Sequence, residues 1–498
     1  MTGRRPRQFS SVSVSLLAIA VLSVGGFLWI SFRTSGLGFP LDDAWIHQTY
    51  ARNLVESGEW AFLSGQPSSG STAPLWTVMI AIGRWLRIDP KMWSYLLGTL
   101  LLVASAWICG RWLTLRSGVS WVWWFFAAIL LVLEWHMVWT AVSGMETLAL
   151  ILIILIVFTW LESQNWNSLG MGLLIGLGVW FRPDALTLLL PVAWHVAFLD
   201  SDQFRKLLRR MGLVLIGVLL IVGPYLAFNY ALSNELWPTT FYAKQAEYAV
   251  YRELPFFHRL WAQLAPPLAG AGALLVPGLI LVIIVHTRQR SWWRLAPLLW
   301  ALSYIGAYAV RLPVNYQHGR YAIPIIPVVL VLGMEGMKAW VEPNAKLFFR
   351  RLLSRAWLLA LPVLAVIFWG IGAQAYAQDV AIIETEMVAA SEWIAVHTEA
   401  QALIAAHDIG ALGYFGERTL IDMAGLVSPE VIPILRDEEA LASFLDERNA
   451  DYLMTFPGWY PKLVERAELI YTTDAPYSVR AGGENMTIYR WRPEGFAP

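Results

Sequence analysis

Asp42 and Asp43 are adjacent carboxylates at the start of the first long polar stretch of the chain, which runs from Leu41 to Trp76. A carboxylate pair beside a membrane is costly to desolvate, and one member keeps a raised pKa. Such a pair suits one aspartate to general-base work while the other orients it or holds a divalent cation such as magnesium or manganese. His47 and Tyr50 follow at helical spacing from Asp43, so the three share one helix face. The same two acids also suit a plain helix start, where Asp caps free N–H groups and meets the positive end of the dipole.

Other side chains have two readings of the same kind. Arg320, with His318 two residues earlier, stands just before an apolar run. A guanidinium at a membrane boundary grips a lipid phosphate through paired N–H groups, or snorkels to the headgroups as an anchor. Lys244 lies in Phe241-Tyr242-Ala243-Lys244, a cation among aromatics that suits phosphate, sugar or plain solvent. Glu146 and the Arg182/Asp184 pair sit at the ends of short apolar hairpins, where charges face a cavity or form a structural ion pair. His407-Asp408 follows a strand-like run, a place that builds sites in α/β folds and that also reads as a simple loop. Asn485-Met486-Thr487 has the form of a glycosylation sequon but falls in a strand-like run. No zinc spacing, P-loop, dinucleotide fingerprint or nucleophile elbow occurs, which argues against a nucleotide-driven pump.

The elements that must carry these residues are mostly membrane helices. Of 498 residues, 57% are hydrophobic and 14% charged, well short of the charged share of a soluble chain, and the mean hydropathy is +0.53. Net charge is zero, so a nucleic-acid partner is not expected. The single cysteine, Cys109, excludes an internal disulfide. Apolar runs predict about eleven spans, over residues 11–32, 92–112, 120–140, 145–161, 169–181, 186–199, 211–231, 264–286, 295–310, 321–340 and 357–376. Residues 76–86 are too short to cross a core of about 30 Å and are expected to lie in the interface.

Arg4, Arg5 and Arg7 precede the first span, and Arg111, Arg116, Arg205, Lys206, Arg209, Arg210, Arg288, Arg290, Arg294, Arg350, Arg351 and Arg355 fall in alternate loops. Placing these inside leaves the loops 33–90 and 232–260 outside the plasma membrane. From about residue 378 short strand-like runs (402–406, 419–423, 451–456, 469–473, 486–490) alternate with helical pieces (383–397, 429–435, 438–448), the pattern of a small α/β domain. The expected organisation is a multi-pass transmembrane module, 1–377, with an outer catalytic loop, 33–90, and an extracytoplasmic α/β domain, 378–498.

The motifs LDDAWIHQTYARNL, GQPSSGSTAPLW, SGMET, GLGVWFRPDAL, PTTFYAK and GRYAIPIIP, in that order, resemble bacterial polytopic glycosyltransferases of the C superfamily (GT-C). Within it the chain is most similar to the arabinofuranosyltransferase-like branch, related to protein O-mannosyltransferases and lipid A aminoarabinose transferases. HDIGALGYFGERTLIDMAGLVSPE resembles the extracytoplasmic end of that branch. The resemblance implies inverting transfer of a sugar from a polyprenyl-phosphate donor to an envelope glycan, lipid or protein acceptor on the outer membrane face. It implies a base at Asp42 or Asp43, and a leaving phosphate stabilised by Arg320 with Lys244 or His318. The substrate cavity would take in His47, Tyr50, Glu146, Arg182, Asp184 and Tyr242. Ser69-Gly70-Ser71-Thr72 departs from the family pattern of an acid followed by Gly-Tyr-Thr, so the resemblance does not fix the sugar as arabinose. A transporter or flippase of lipid-linked sugars is the rival expectation. It calls for a repeated half, and no internal repeat is present. A non-catalytic scaffold that binds envelope polymer is a second rival.

Overall fold

The structure, a computed structural model, describes residues 5–199 and 204–492. The N-terminal Arg4 and the last residues of the expected terminal domain, 493–498, lie outside the described residues. The chain is a polytopic helical membrane protein with a small terminal sheet domain. Among the described residues six helices are long and apolar enough to cross a membrane: Ser13–Thr34, Pro90–Ser117, Phe204–Ser233, Gly270–Arg288, Tyr316–Trp340 and Phe348–His397. Their outward faces expose Leu22, Leu219 and Leu359, as lipid-facing helices do. Shorter apolar helices, Thr147–Ser163, Ser168–Phe181 and Pro183–Leu199, stand beside them.

Three expected boundaries change. The run 120–140 is not one rod but two helices, Trp121–Leu133 and Trp135–Ala141, bent by 61°. Glu134 makes the break: its backbone is extended (ψ 118°), its carboxylate accepts the Met137 N–H at 2.9 Å, and it meets His136 Nδ1 at 2.7 Å. It thereby caps the second helix. The run 264–286 is also split. Residues up to Leu268 finish the helix Phe256–Leu268, and the chain turns at Gly270 (φ +68°) before the span Gly270–Arg288 begins. Finally, the expected domain boundary at 377/378 falls inside a helix. Phe348–Ile383 continues through a π turn, Glu384–Val388, into Ala389–His397, so no linker separates the two parts.

The terminal sheet has five strands in the order Thr419–Asp422, Leu403–Ala406, Tyr452–Thr455, Thr487–Trp491, Ala467–Thr472. The first three run parallel, and Thr487–Trp491 runs antiparallel to both of its neighbours. Tyr452–Thr455 is buried at every residue, as expected of a central strand covered on both faces. The domain sits on the end of the bundle where the helices Asp43–Glu56 and Thr239–Glu247 lie. Trp45 packs against Tyr414 and, edge to face, Phe415 with ring centroids 4.9 and 4.6 Å apart, and Arg52 donates to the carbonyls of Tyr414 and Gly413 at 2.8 and 3.0 Å. At the far end of Pro90–Ser117, buried Arg116 is held by Glu335 (2.7 Å) and Glu162 (3.0 Å).

Small residues set the closest helix contacts. A Cβ on Gly172 would fall 2.0 Å from the Val214 carbonyl oxygen, and one on Gly217 would fall 2.4 Å from that of Leu169. The backbones of Ser168–Phe181 and Phe204–Ser233 therefore touch. Gly172→Val is expected to destabilise the protein by about 1–3 kcal/mol through overpacking. Gly212→Ala, which meets nothing within 4 Å, is expected to cost nothing. Heat-induced unfolding of both variants in detergent checks this.

Candidate active site

Asp43 is the first residue of the helix Asp43–Glu56, and its side chain opens into a cavity of about 300 Å³. Its Oδ2 lies 3.0 Å from Lys244 Nζ and 2.8 Å from Arg320 Nη2. Burial alone would push the Asp43 carboxyl up. The Lys244 ammonium and the Arg320 guanidinium more than offset this and hold it well below the usual carboxylate range. Asp43 in turn raises the Lys244 ammonium above its ordinary value, against its burial.

Each cation is placed by a local device. Lys244 rides on Thr239–Glu247, whose first turn is pinned by Thr239 to the Leu426 carbonyl and by Thr240 to the Gly70 carbonyl at 2.7 Å. Arg320 follows three left-handed residues, Gln317 (φ 52°), His318 (φ 60°) and Gly319 (φ 68°). Two of these carry side chains, and that conformation costs about 1–2 kcal/mol per residue for anything but glycine. The turn is held by His318, whose Nε2 meets Asp379 Oδ2 at 2.7 Å, while Trp139 Nε1 donates to the same oxygen at 2.9 Å. Arg320 is only 8% exposed, yet its Nε and Nη1 have no hydrogen-bond partner. It carries unfilled donor capacity at the cavity wall.

The structure divides the two aspartates. Asp42 does not line the cavity. Its oxygens accept the N–H groups of Gly410 (2.6 Å) and Ala411 (2.7 Å), at the start of the helix Gly410–Phe415 in the terminal domain. Only glycine fits at 410, because a Cβ there would lie 2.1 Å from the Asp42 carbonyl oxygen. Burial and the Asp408 carboxylate push Asp42 up to about 8, and burial pushes Asp408 up to about 6. His407, beside them, bonds Tyr460 through Nδ1 at 2.7 Å and faces Glu247 at 3.5 Å. The two aspartates thus have different surroundings, with Asp42 at the junction to the terminal domain and Asp43 at the cavity. Among the described residues no cluster of three or more His, Cys, Asp or Glu is arranged to hold a metal.

The remaining expected residues separate in the same way. His47, Glu146, Arg182 and Asp184 line the cavity with Asp43, Lys244 and Arg320. Tyr50 and Tyr242 do not. The Tyr50 hydroxyl meets Ser68 Oγ at 2.6 Å and accepts the Gly70 N–H at 2.9 Å, bracing the Gly/Ser loop instead. His318 faces Asp379 rather than the cavity and acts on the Arg320 turn. Tyr308, which bonds Asp184 at 2.7 Å, and Asp379 were not singled out from sequence. An acid in an otherwise apolar helix was the available signal for Asp379.

With this geometry in view, comparison places the fold. Residues 366–489 match a family model described as Domain of unknown function (DUF8728). No curated protein matches the chain. Among solved structures, the chain is similar to ArnT from Cupriavidus metallidurans bound to undecaprenyl phosphate, at 14% identity and TM-score 0.59, covering 97% of this chain and 99% of that one. It is also similar to the Archaeoglobus fulgidus oligosaccharyltransferase in the apo form, at 14% identity and TM-score 0.62, covering 92% of this chain and 70% of that one. The same oligosaccharyltransferase tethered to an acceptor peptide containing the NVT sequon aligns at 12% identity and TM-score 0.61, covering 92% and 72%. The fold is thus GT-C-like.

Asp42→Asn is expected to weaken the docking of Gly410–Phe415 by about 0.5–2 kcal/mol, the usual worth of a helix cap. Hydrogen exchange at the Gly410 and Ala411 amides should then speed up, whereas Asp43→Asn should leave it unchanged.

Proposed function

We propose that the protein is an inverting glycosyltransferase. It moves a sugar from a polyprenyl-phosphate donor to a hydroxyl of an envelope glycan, lipid or protein at the outer face of the plasma membrane, where its terminal domain also lies. The observation that carries this reading is Asp43, an ionised carboxylate held between Lys244 and Arg320 while two guanidinium nitrogens of Arg320 lack partners. The fold shared with an enzyme bound to undecaprenyl phosphate supports a lipid-linked donor, and the fold shared with an oligosaccharyltransferase supports sugar transfer.

The chemistry follows from competition for the two cations. In the resting site they neutralise Asp43 and make it a poor base. A donor phosphate entering beside Arg320 and Lys244 draws both toward itself, and the basicity of Asp43 rises as its ion pairs loosen. Asp43 then accepts the proton of the acceptor hydroxyl as that oxygen attacks the anomeric carbon. The bond from that carbon to the phosphate oxygen breaks, and its electron pair leaves on polyprenyl phosphate, whose charge Arg320 and Lys244 stabilise in a site of low dielectric. The base is available only when the donor is in place, which protects against proton loss to the wrong group. The glycosyl phosphate is already activated, so no nucleotide enters the step.

Asp43→Asn is expected to lower kcat by about 10²–10⁴-fold in a purified transfer assay, and normal turnover would exclude this base. Arg320→Ala should raise the KM for the donor by about 10–100-fold, the worth of a charge-assisted contact. The pH profiles carry a separate signature. The acid limb of kcat/KM reports the free enzyme, where Asp43 is held low. The acid limb of kcat reports the donor complex, where the cations are shared with phosphate. The limb of kcat is therefore expected at the higher pH.

A further inference from the structure

The reaction above uses one wall of the cavity. The cavity is also lined by Glu146, which is 1% exposed. Its Oε1 accepts from Arg182 Nη1 at 3.2 Å, but its Oε2 has no hydrogen-bond partner. The nearest basic nitrogen, His47 Nε2, stands 3.7 Å away, beyond hydrogen-bond reach. Arg182 is already committed: its Nε lies 2.8 Å from Asp184 Oδ2 and its Nη2 lies 3.2 Å from the Tyr308 hydroxyl. His47 adds no charge, because burial lowers its pKa, and its Nδ1 sits 3.2 Å from both the Ser71 and Thr77 hydroxyls. The two carboxylates and one guanidinium give this cluster a net negative charge. The cluster of Asp43 with Lys244 and Arg320 has a net positive one.

We infer that Glu146 Oε2 is the recognition point for the donor sugar, accepting a hydrogen bond from a ring substituent, and that the site takes a hydroxyl-bearing sugar and rejects a uronic acid. The inference rests on the donor reading proposed above and names the sugar end of that same cavity. The positive cluster matches the single charge of a glycosyl phosphodiester. A buried carboxylate oxygen with no donor is costly, and a sugar hydroxyl placed there satisfies it on binding. A carboxylate on the sugar would instead face Glu146 across a desolvated gap, with Arg182 already held by two acids. That is discrimination by repulsion as well as by attraction. An amino sugar offers the same donor chemistry with added charge.

The test measures binding to the full chain in nanodiscs. Its probes are polyprenyl phosphate alone and polyprenyl-phosphate derivatives of a hexose, its monodeoxy analogues, the matching amino sugar and the matching uronic acid. Wild type is expected to hold the hexose lipid more tightly than bare polyprenyl phosphate, to lose that gain for one deoxy analogue, and to hold the uronic acid worst. Glu146→Gln should weaken the hexose lipid about 10–100-fold, leave bare polyprenyl phosphate unchanged, and narrow the gap to the uronic acid. Glu146→Asp, which keeps the charge but withdraws it, should give the same loss of the sugar contribution and serves if the glutamine variant does not fold. A preference for the amino sugar that disappears in Glu146→Gln would assign the same contact to an ammonium group. Equal weakening of bare polyprenyl phosphate, or a wild-type preference for the uronic acid, would overturn the inference. Absence of any polyprenyl-phosphate binding by wild type, or binding insensitive to Arg320→Ala, would instead overturn the donor reading beneath it.

Discussion

The ion triad of Asp43, Lys244 and Arg320 is the interaction on which the site depends. Its members come from three distant parts of the chain, with Asp43 and Lys244 separated by 201 residues. A desolvated carboxylate needs its cations, and a buried guanidinium needs its anion, so removing any one leaves an uncompensated charge. The helix Asp43–Glu56, the helix Thr239–Glu247 and the left-handed turn before Arg320 must therefore arrive together. Much of the surrounding polar structure serves that convergence: Thr239 and Thr240 seat the lysine helix, and the His318–Asp379 pair holds a turn that backbone preference alone would not adopt.

Charge is also distributed along the cavity. The cationic end with Asp43 and the acidic end with Glu146 are joined through Tyr321, whose ring lies 5.0 Å from the Arg320 guanidinium and 5.6 Å from that of Arg182. The cavity thus carries two adjoining clusters of opposite net sign.

Much of this was legible in the sequence, and the failures have physical causes. The five strands fall within a residue or two of the strand-length hydrophobic runs, because short apolar runs bounded by turn residues leave few other options. The placing of Asp43 and His47 on one helix face follows from spacing alone. The separate fates of Asp42 and Asp43 could not be read this way, since the partner of Asp42 lies 368 residues away and neighbours at a helix start point in different directions. The turn at 317–319 was hidden because only one of its residues is glycine. The bend at Glu134 was hidden because a single acid in an apolar run does not reveal whether it caps a new helix or faces a cavity. The Asn485 side-chain amide is used inside the fold: it donates to Glu386 at 2.9 Å and to the Ala475 carbonyl at 2.7 Å.

The uninterrupted helix Phe348–His397 has a mechanical consequence. It spans 50 residues, and its upper part is locked into the sheet domain where buried Glu386 accepts the Met486 N–H at 2.7 Å. Tilt of the last membrane segment and tilt of the sheet are then one rigid motion, like a post fixed to its beam. The sheet cannot swing aside as an independent lid, so any opening at the cavity rim has to be made by short connecting segments.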